Sequence, residues 1–116
     1  MAVNIRRFGA EIVLKYDGSC FRTFSGTILY QFNGSVLRRF AEPLLYRVDG
    51  GLVRNVSLEI VYRFDGRIFR DFDRRILLKM RDDTICDFTG RILFVIEGNL
   101  NTAEMAALLT IIAEEM

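Results

Sequence analysis

The sequence predicts an all-β fold, an antiparallel up-and-down meander of about twelve short strands rolled into a barrel around a C-terminal α-helix. Three observations predict it. A 16-residue pattern recurs six times, turn chemistry appears every eight residues, and one apolar segment at the end lacks the strand period.

The repeat is visible as columns. Ile12, Ile28, Leu44, Ile60, Ile76 and Ile92 occupy one, and Gly18, Gly34, Gly50, Gly66, Asp82 and Gly98 another. Each unit divides into halves of eight, six strand-like residues and two turn-like ones. Asp17-Gly18, Asn33-Gly34, Asp49-Gly50 and Asp65-Gly66 are strong hairpin signals, because a type I′ turn needs positive φ at both central residues. The alternate turns are chemically weaker: Gly9-Ala10, Ser25-Gly26, Ala41-Glu42, Ser57-Leu58, Asp73-Arg74 and Thr89-Gly90.

Strands are accordingly expected over 3–8, 11–16, 19–24, 27–32, 35–40, 43–48, 51–56, 59–64, 67–72, 75–80, 83–88 and 91–96. Pro43 opens its strand, a position where a missing N–H is tolerated.

A parallel β-solenoid is the competing arrangement. It would place Arg6, Arg22, Arg38, Arg54 and Arg70 between inward Ile and Phe columns, and burying five guanidinium groups is prohibitive. In a meander, strand direction alternates and so do the faces. One face then carries Leu14, Phe21, Tyr30, Leu37, Tyr46, Val53, Tyr62, Phe69, Leu78, Ile85 and Phe94. Ile12, Ile28, Phe32, Ile60, Phe64, Ile76, Ile92 and Ile96 are expected to flank that row, forming the core face.

The opposite face collects Arg6, Lys15, Arg22, Arg38, Arg47, Arg54, Arg63, Arg70, Arg75, Lys79 and Arg91, eleven of the sixteen basic residues. Glu11 and Glu59 are the acids that share it. Arginine stems are expected to cover Val13, Leu29, Leu45, Val61 and Leu77 there.

After Glu97-Gly98 the period-two pattern stops. Asn101 reads as an N-cap with Glu104 three residues on, predicting a helix over 102–116. Met105, Leu108, Leu109, Ile112 and Met116 form a stripe, and Ala103, Ala106, Ala107 and Ile111 leave most of the remainder apolar. A helix apolar nearly all round is a buried one. A twelve-strand barrel has a lumen wide enough for it. Identical two-residue turns at both ends would give no shear, so bulges at the weaker turns are needed for closure. A single-layer sheet dimerising through its apolar face is the other solution.

The chain of 116 residues, 51% of them hydrophobic, suits one domain over 1–116, with strand repeats in 3–98. Net charge is +1, which by itself points to neither nucleic acid nor membrane. Cys20 and Cys86 are isolated, no His is present, and the N-terminus lacks an apolar leader-like run. A cytoplasmic protein without metal, cofactor or membrane span is expected, as a monomer or homodimer.

Tyr46-Arg47-Val48-Asp49-Gly50 and Tyr62-Arg63-Phe64-Asp65-Gly66-Arg67-Ile68-Phe69-Arg70 carry a resemblance. It is to small bacterial tandem-repeat β proteins with "LYxFDGxxIR"-like units and an apolar C-terminal tail, and it covers residues 11–116. The resemblance implies a repeat fold and no activity. Choline- and glucan-binding repeats share the Tyr and Asp-Gly flavour, but their aromatic cages use tryptophan, which is absent here.

The candidate site is an anion-binding surface of Arg22, Arg38, Arg54, Arg70, Arg47 and Arg63. Repetition places the first four about 10 Å apart, two strands per step. Such a stripe suits a polyanion or an acidic protein partner. Its bland counterpart is a solvated coat on a purely structural or self-assembling protein. The Tyr30, Tyr46, Tyr62 ladder is expected to pack in the core, the cysteines to fill space, and Asp71, Asp83 and Asp87 to protect sheet edges. No catalytic residue is expected, since neither cysteine has a histidine to act as base.

Overall fold

The computed structural model describes residues 3–40 and 44–115, without the Leu44 side chain. The turn at Ala41-Glu42, the strand opening at Pro43 and the helix end at Met116 lie outside the described residues.

Twelve antiparallel strands close into a barrel. They are β1 (Val3–Arg7), β2 (Ile12–Tyr16), β3 (Cys20–Arg22), β4 (Ile28–Phe32), β5 (Val36–Arg39), β6 (Leu44–Asp49), β7 (Leu52–Arg54), β8 (Ile60–Phe64), β9 (Ile68–Asp71), β10 (Ile76–Arg81), β11 (Thr84–Asp87) and β12 (Ile92–Glu97). Sequence neighbours pair throughout, and β1 closes onto β12 with Ile5 opposite Ile96. Closure removes both sheet edges.

The two kinds of turn differ in geometry. At the Asp-Gly turns the expected pair of positive φ angles is not found: Gly18 has φ of 101°, whereas Asp17 stays on the negative side. The strand pairing explains this. Tyr16 lies opposite Phe21, so the two loop residues are Gly18-Ser19, one position later than the sequence suggested. Asp17 instead closes the turn. Its Oδ1 accepts the N–H groups of Ser19 at 2.9 Å and Cys20 at 2.8 Å. Asn33 and Asp65 do the same for their turns.

The alternate turns among the described residues are three-residue loops. Gly26 N–H donates to Thr23 O at 3.0 Å and Thr23 N–H to Thr27 O at 2.9 Å. In four of them the third residue is left-handed, Gly26, Leu58 (φ 66°), Arg74 (φ 66°) and Gly90, whereas in the first loop the positive φ falls on the second residue, Gly9 (φ 71°). The four are type I turns completed by a left-handed residue.

Next to these loops the ladder slips by one residue, after Ile5, Phe21, Leu37, Val53, Phe69 and Ile85. Six bulges at 16-residue intervals supply the shear that closure requires. They also correct the assignment of faces. Ile12, Ile28, Ile60 and Ile76 lie opposite Arg6, Arg22, Arg54 and Arg70 on the outer side, rather than flanking the core. Ile92 takes the corresponding position opposite Cys86. Conversely, Val13, Leu29, Leu45, Val61 and Leu77 pack half-buried against the core instead of lying under outer arginine stems. An extra residue in one strand exchanges the side-chain parity on either side of it.

The central inward row falls where the alternation puts it. Leu14, Phe21, Tyr30, Leu37, Val53, Phe69, Leu78, Ile85 and Phe94 are buried, and Tyr46 and Tyr62 pack beside them. Helix α1 (Thr102–Glu115) fills the space they enclose. Its start is a reciprocal capping box: Glu104 N–H donates to Asn101 Oδ1 at 2.8 Å, and Asn101 N–H donates to Glu104 Oε1 at 2.9 Å. Ala106 to Ile112, seven consecutive residues and so every face of the helix, are buried. A helix resting on a sheet buries only one face. Thr110, polar and buried, donates its hydroxyl to Ala106 O at 2.8 Å. The molecule is wide and shallow, 37 × 34 × 21 Å.

Candidate functional site

The barrel wall sorts side chains by strand parity, and the outer wall carries the long cations. Arg22, Arg38, Arg54 and Arg70 sit on β3, β5, β7 and β9, and Arg47 and Arg63 on β6 and β8. All six predicted anion-site residues therefore share one face. Cross-strand pairing brings them together in a continuous order: Lys15 opposite Arg22, Gln31 opposite Arg38, Arg47 opposite Arg54, and Arg63 opposite Arg70. Lys79 extends the row on β10. Like charges placed directly across a strand pair repel. The belt holds two such arginine pairs side by side.

Part of that repulsion is offset from below. The aspartates that close the two-residue turns point back at the arginines five residues on. Arg22 Nε donates to Asp17 Oδ2 at 3.0 Å, and Arg70 and Arg54 approach Asp65 and Asp49 at 3.5 and 3.9 Å. Arg22 also donates to Gly26 O at 3.2 Å, so its guanidinium spans the strand from turn to turn. Backbone N–H donors first, and then Arg22, hold the Asp17 carboxyl well below the usual carboxylate range. Among the described residues, Arg38, Arg47 and Arg63 have no ion-pair partner, and all three are exposed. The six arginines thus divide into tethered and free members.

The other candidates resolve differently. Tyr30, Tyr46 and Tyr62 face inward, and their hydroxyls meet the end of the helix. Tyr30 donates to Glu115 and Tyr46 to Glu114. Arg39 joins Glu115 at 2.6 Å. Burial, and then the Glu114 charge, push the Tyr62 hydroxyl up to about 12. Cys20 and Cys86 are buried free thiols. Asp71 and Asp87 do not protect edges, because the closed sheet has none; they build turns. Asp87 Oδ1 accepts N–H groups from Thr89 and Arg91, and Asp71 Oδ1 accepts that of Arg75. No cluster among the described residues has the ligands to hold a metal ion, and no helix is long and apolar enough to cross a membrane.

One feature of the outer wall was missed by reading the sequence. Phe8, Phe24, Phe40, Val56, Phe72 and Phe88 are 50–70% exposed, and they form one column of the repeat. Five of them follow an outer-wall arginine by two positions, Arg6, Arg22, Arg38, Arg54 and Arg70, and Phe88 follows Cys86. That parity was available from the sequence.

No protein-family model matches the chain, and no curated protein or solved structure is similar to it.

Proposed function

We propose that the protein is a non-enzymatic binding module whose outer arginine belt takes an anionic partner. One observation carries this reading: Arg47 lies opposite Arg54 and Arg63 opposite Arg70, with no carboxylate paired to Arg47 or Arg63 among the described residues. Like charges held side by side on a rigid wall lose repulsion when a polyanion covers them. The wall fixes their spacing, so little ordering is needed on binding.

A second reading has its own support. Asp17, Asp49 and Asp65 already face Arg22, Arg54 and Arg70, which suits a solvated coat on a structural protein.

Retention on immobilised heparin and binding to duplex DNA, both across a salt series, separate the two. The binding reading expects retention at about 150 mM salt. Replacing Arg38, Arg47 and Arg63 by Gln is expected to lower the slope of log K against log salt by about 3, one contact each. These residues are exposed and hold no turn, so melting should be unchanged. Elution at low salt, with no effect of the triple substitution, would favour the solvated coat.

A further inference from the structure

The repeat places an apolar residue at the first position of each three-residue loop among the described residues. Because the barrel is an up-and-down meander and these loops all follow odd-numbered strands, they share one rim. Phe8, Phe24, Phe72 and Phe88 are 59–70% exposed, Phe40 is 50% exposed, and Val56 takes the remaining position. Monomeric surfaces scatter apolar side chains singly, whereas a repeated ring of them marks an interaction surface.

The rim and the arginine belt are neighbours along the chain. Arg22, Arg38 and Arg70 stand near the ends of β3, β5 and β9, and Phe24, Phe40 and Phe72 follow two residues later as the loops begin. The Phe24 ring sits on the outer side, 5.0 Å from Lys15 Nζ. Half-buried Ile12, Ile28, Ile60 and Ile76 lie directly across the strand pair from Arg6, Arg22, Arg54 and Arg70. The surface is therefore apolar at its end and cationic along the strands behind it, from β2 to β10 with Gln31 the uncharged member on β4.

Acids near the rim are largely engaged. Glu11 approaches Arg7 at 3.7 Å, Arg75 approaches Asp71 and Asp73 at 3.6 and 3.5 Å, and Glu115 meets Arg39. Glu59 accepts from Asn55 at 3.1 Å, and Glu114 from Tyr46.

We infer that this rim docks on an anionic lipid bilayer, with the phenylalanines entering the headgroup–acyl boundary and the arginine belt at the level of the lipid phosphates. Aromatic residues settle about 5–10 Å into that boundary, and cations beside them gain from anionic lipid. A ring of exposed apolar side chains at one end of the barrel, with cations on the strands behind it, suits a broad surface that is both apolar and anionic. The docking is peripheral. Strands of three to six residues are shorter than the roughly 9–11 needed to cross a bilayer. This inference rests on the belt being an anion-binding surface, and adds the bilayer as the partner.

The test is co-sedimentation of the full chain with phosphatidylcholine vesicles containing about 30% phosphatidylserine, against pure phosphatidylcholine, at about 150 mM salt. Binding to the anionic vesicles is expected. The variant F24S/F72S/F88S should bind them at least about tenfold more weakly, since each ring withdraws apolar area from water. Its heparin retention and melting temperature should stay unchanged. Heparin retention without vesicle binding overturns the inference and leaves the anion-binding reading standing. Failure of both probes removes both. Vesicle binding that the triple substitution does not weaken also overturns it, because the rim then does not insert. So does a wild-type dimer that the substitutions dissociate without vesicle binding, because a second copy then covers the rim.

Discussion

A helix enclosed by a barrel should be intolerant of truncation in every direction, and this can be measured. Leu108, Leu109 and Ile111 are each 0–1% exposed. Successive residues turn about 100° around a helix, so these three point to widely different parts of the wall. Truncating a leucine to alanine removes three carbons, about 2.4 kcal/mol at ~0.8 kcal/mol per buried CH₂. The wall is braced by a closed ladder and collapses little. A residual void of about 50 Å³ adds about 1.2 kcal/mol at ~24 cal/mol per Å³. Each of Leu108→Ala, Leu109→Ala and Ile111→Ala should therefore cost about 3–4 kcal/mol. With a urea m-value of about 1.5 kcal/mol/M, each midpoint should fall by about 2 M. Met105→Ala, at a half-buried position in the first turns, should cost clearly less. Urea titration followed by far-UV circular dichroism gives all four values. If any of the three enclosed positions costs under about 1 kcal/mol, the helix has a free face and does not thread the lumen.

Three further outcomes follow from local geometry. Leu58→Gly and Arg74→Gly should each leave stability unchanged or raise it by up to about 1 kcal/mol, because both hold a left-handed φ of 66° that glycine adopts without strain, as Gly26 and Gly90 do in sister repeats; thermal melts showing a loss above 1 kcal/mol would contradict the strain. Gly51→Ala should be severe, at or beyond about 3 kcal/mol, because the new Cβ would meet Phe64 O at 1.9 Å, where the strands are already held together by Phe64 N–H donating to Gly51 O; a variant that melts within a few degrees of the parent would refute that contact. Asp17 and Asp65 have native carboxyl pKa values below their ordinary ones, first through backbone donors. Their stabilisation is present above about pH 4 and is lost as pH falls through the native values. Asp17→Asn, which keeps the side-chain acceptor as Asn33 does, should make the acid limb of a stability–pH profile shallower; an unchanged limb would show that this carboxylate is not linked to folding.

The proposed binding surface was only half legible in advance. Strand parity alone collects Arg22, Arg38, Arg47, Arg54, Arg63 and Arg70 on one wall, because a period of two leaves no freedom. Parity could not separate tethered from free arginines. That division depends on how a turn aspartate points, and on the loop residues being Gly18-Ser19 rather than Asp17-Gly18. Nor could it place Ile12 and Val13 correctly, since a one-residue bulge reverses the faces on either side of itself and has no signature in hydrophobic alternation.

The sequence by itself determined the strand count, the antiparallel order, the inward row from Leu14 to Phe94 and the capped helix after Asn101. Each follows from interactions between residues close in the chain, where turn chemistry, side-chain period and a reciprocal cap leave one solution. A barrel around that helix, with bulges at the alternate turns, was also expected from the sequence; the tertiary structure decided the register in which β1 closes onto β12, where the six bulges fall, and the burial of the helix on all faces. It also gathered Phe8, Phe24, Phe40, Phe72 and Phe88 into one ring. These depend on accumulated twist and shear around the whole sheet, a sum over twelve strands that no single repeat contains.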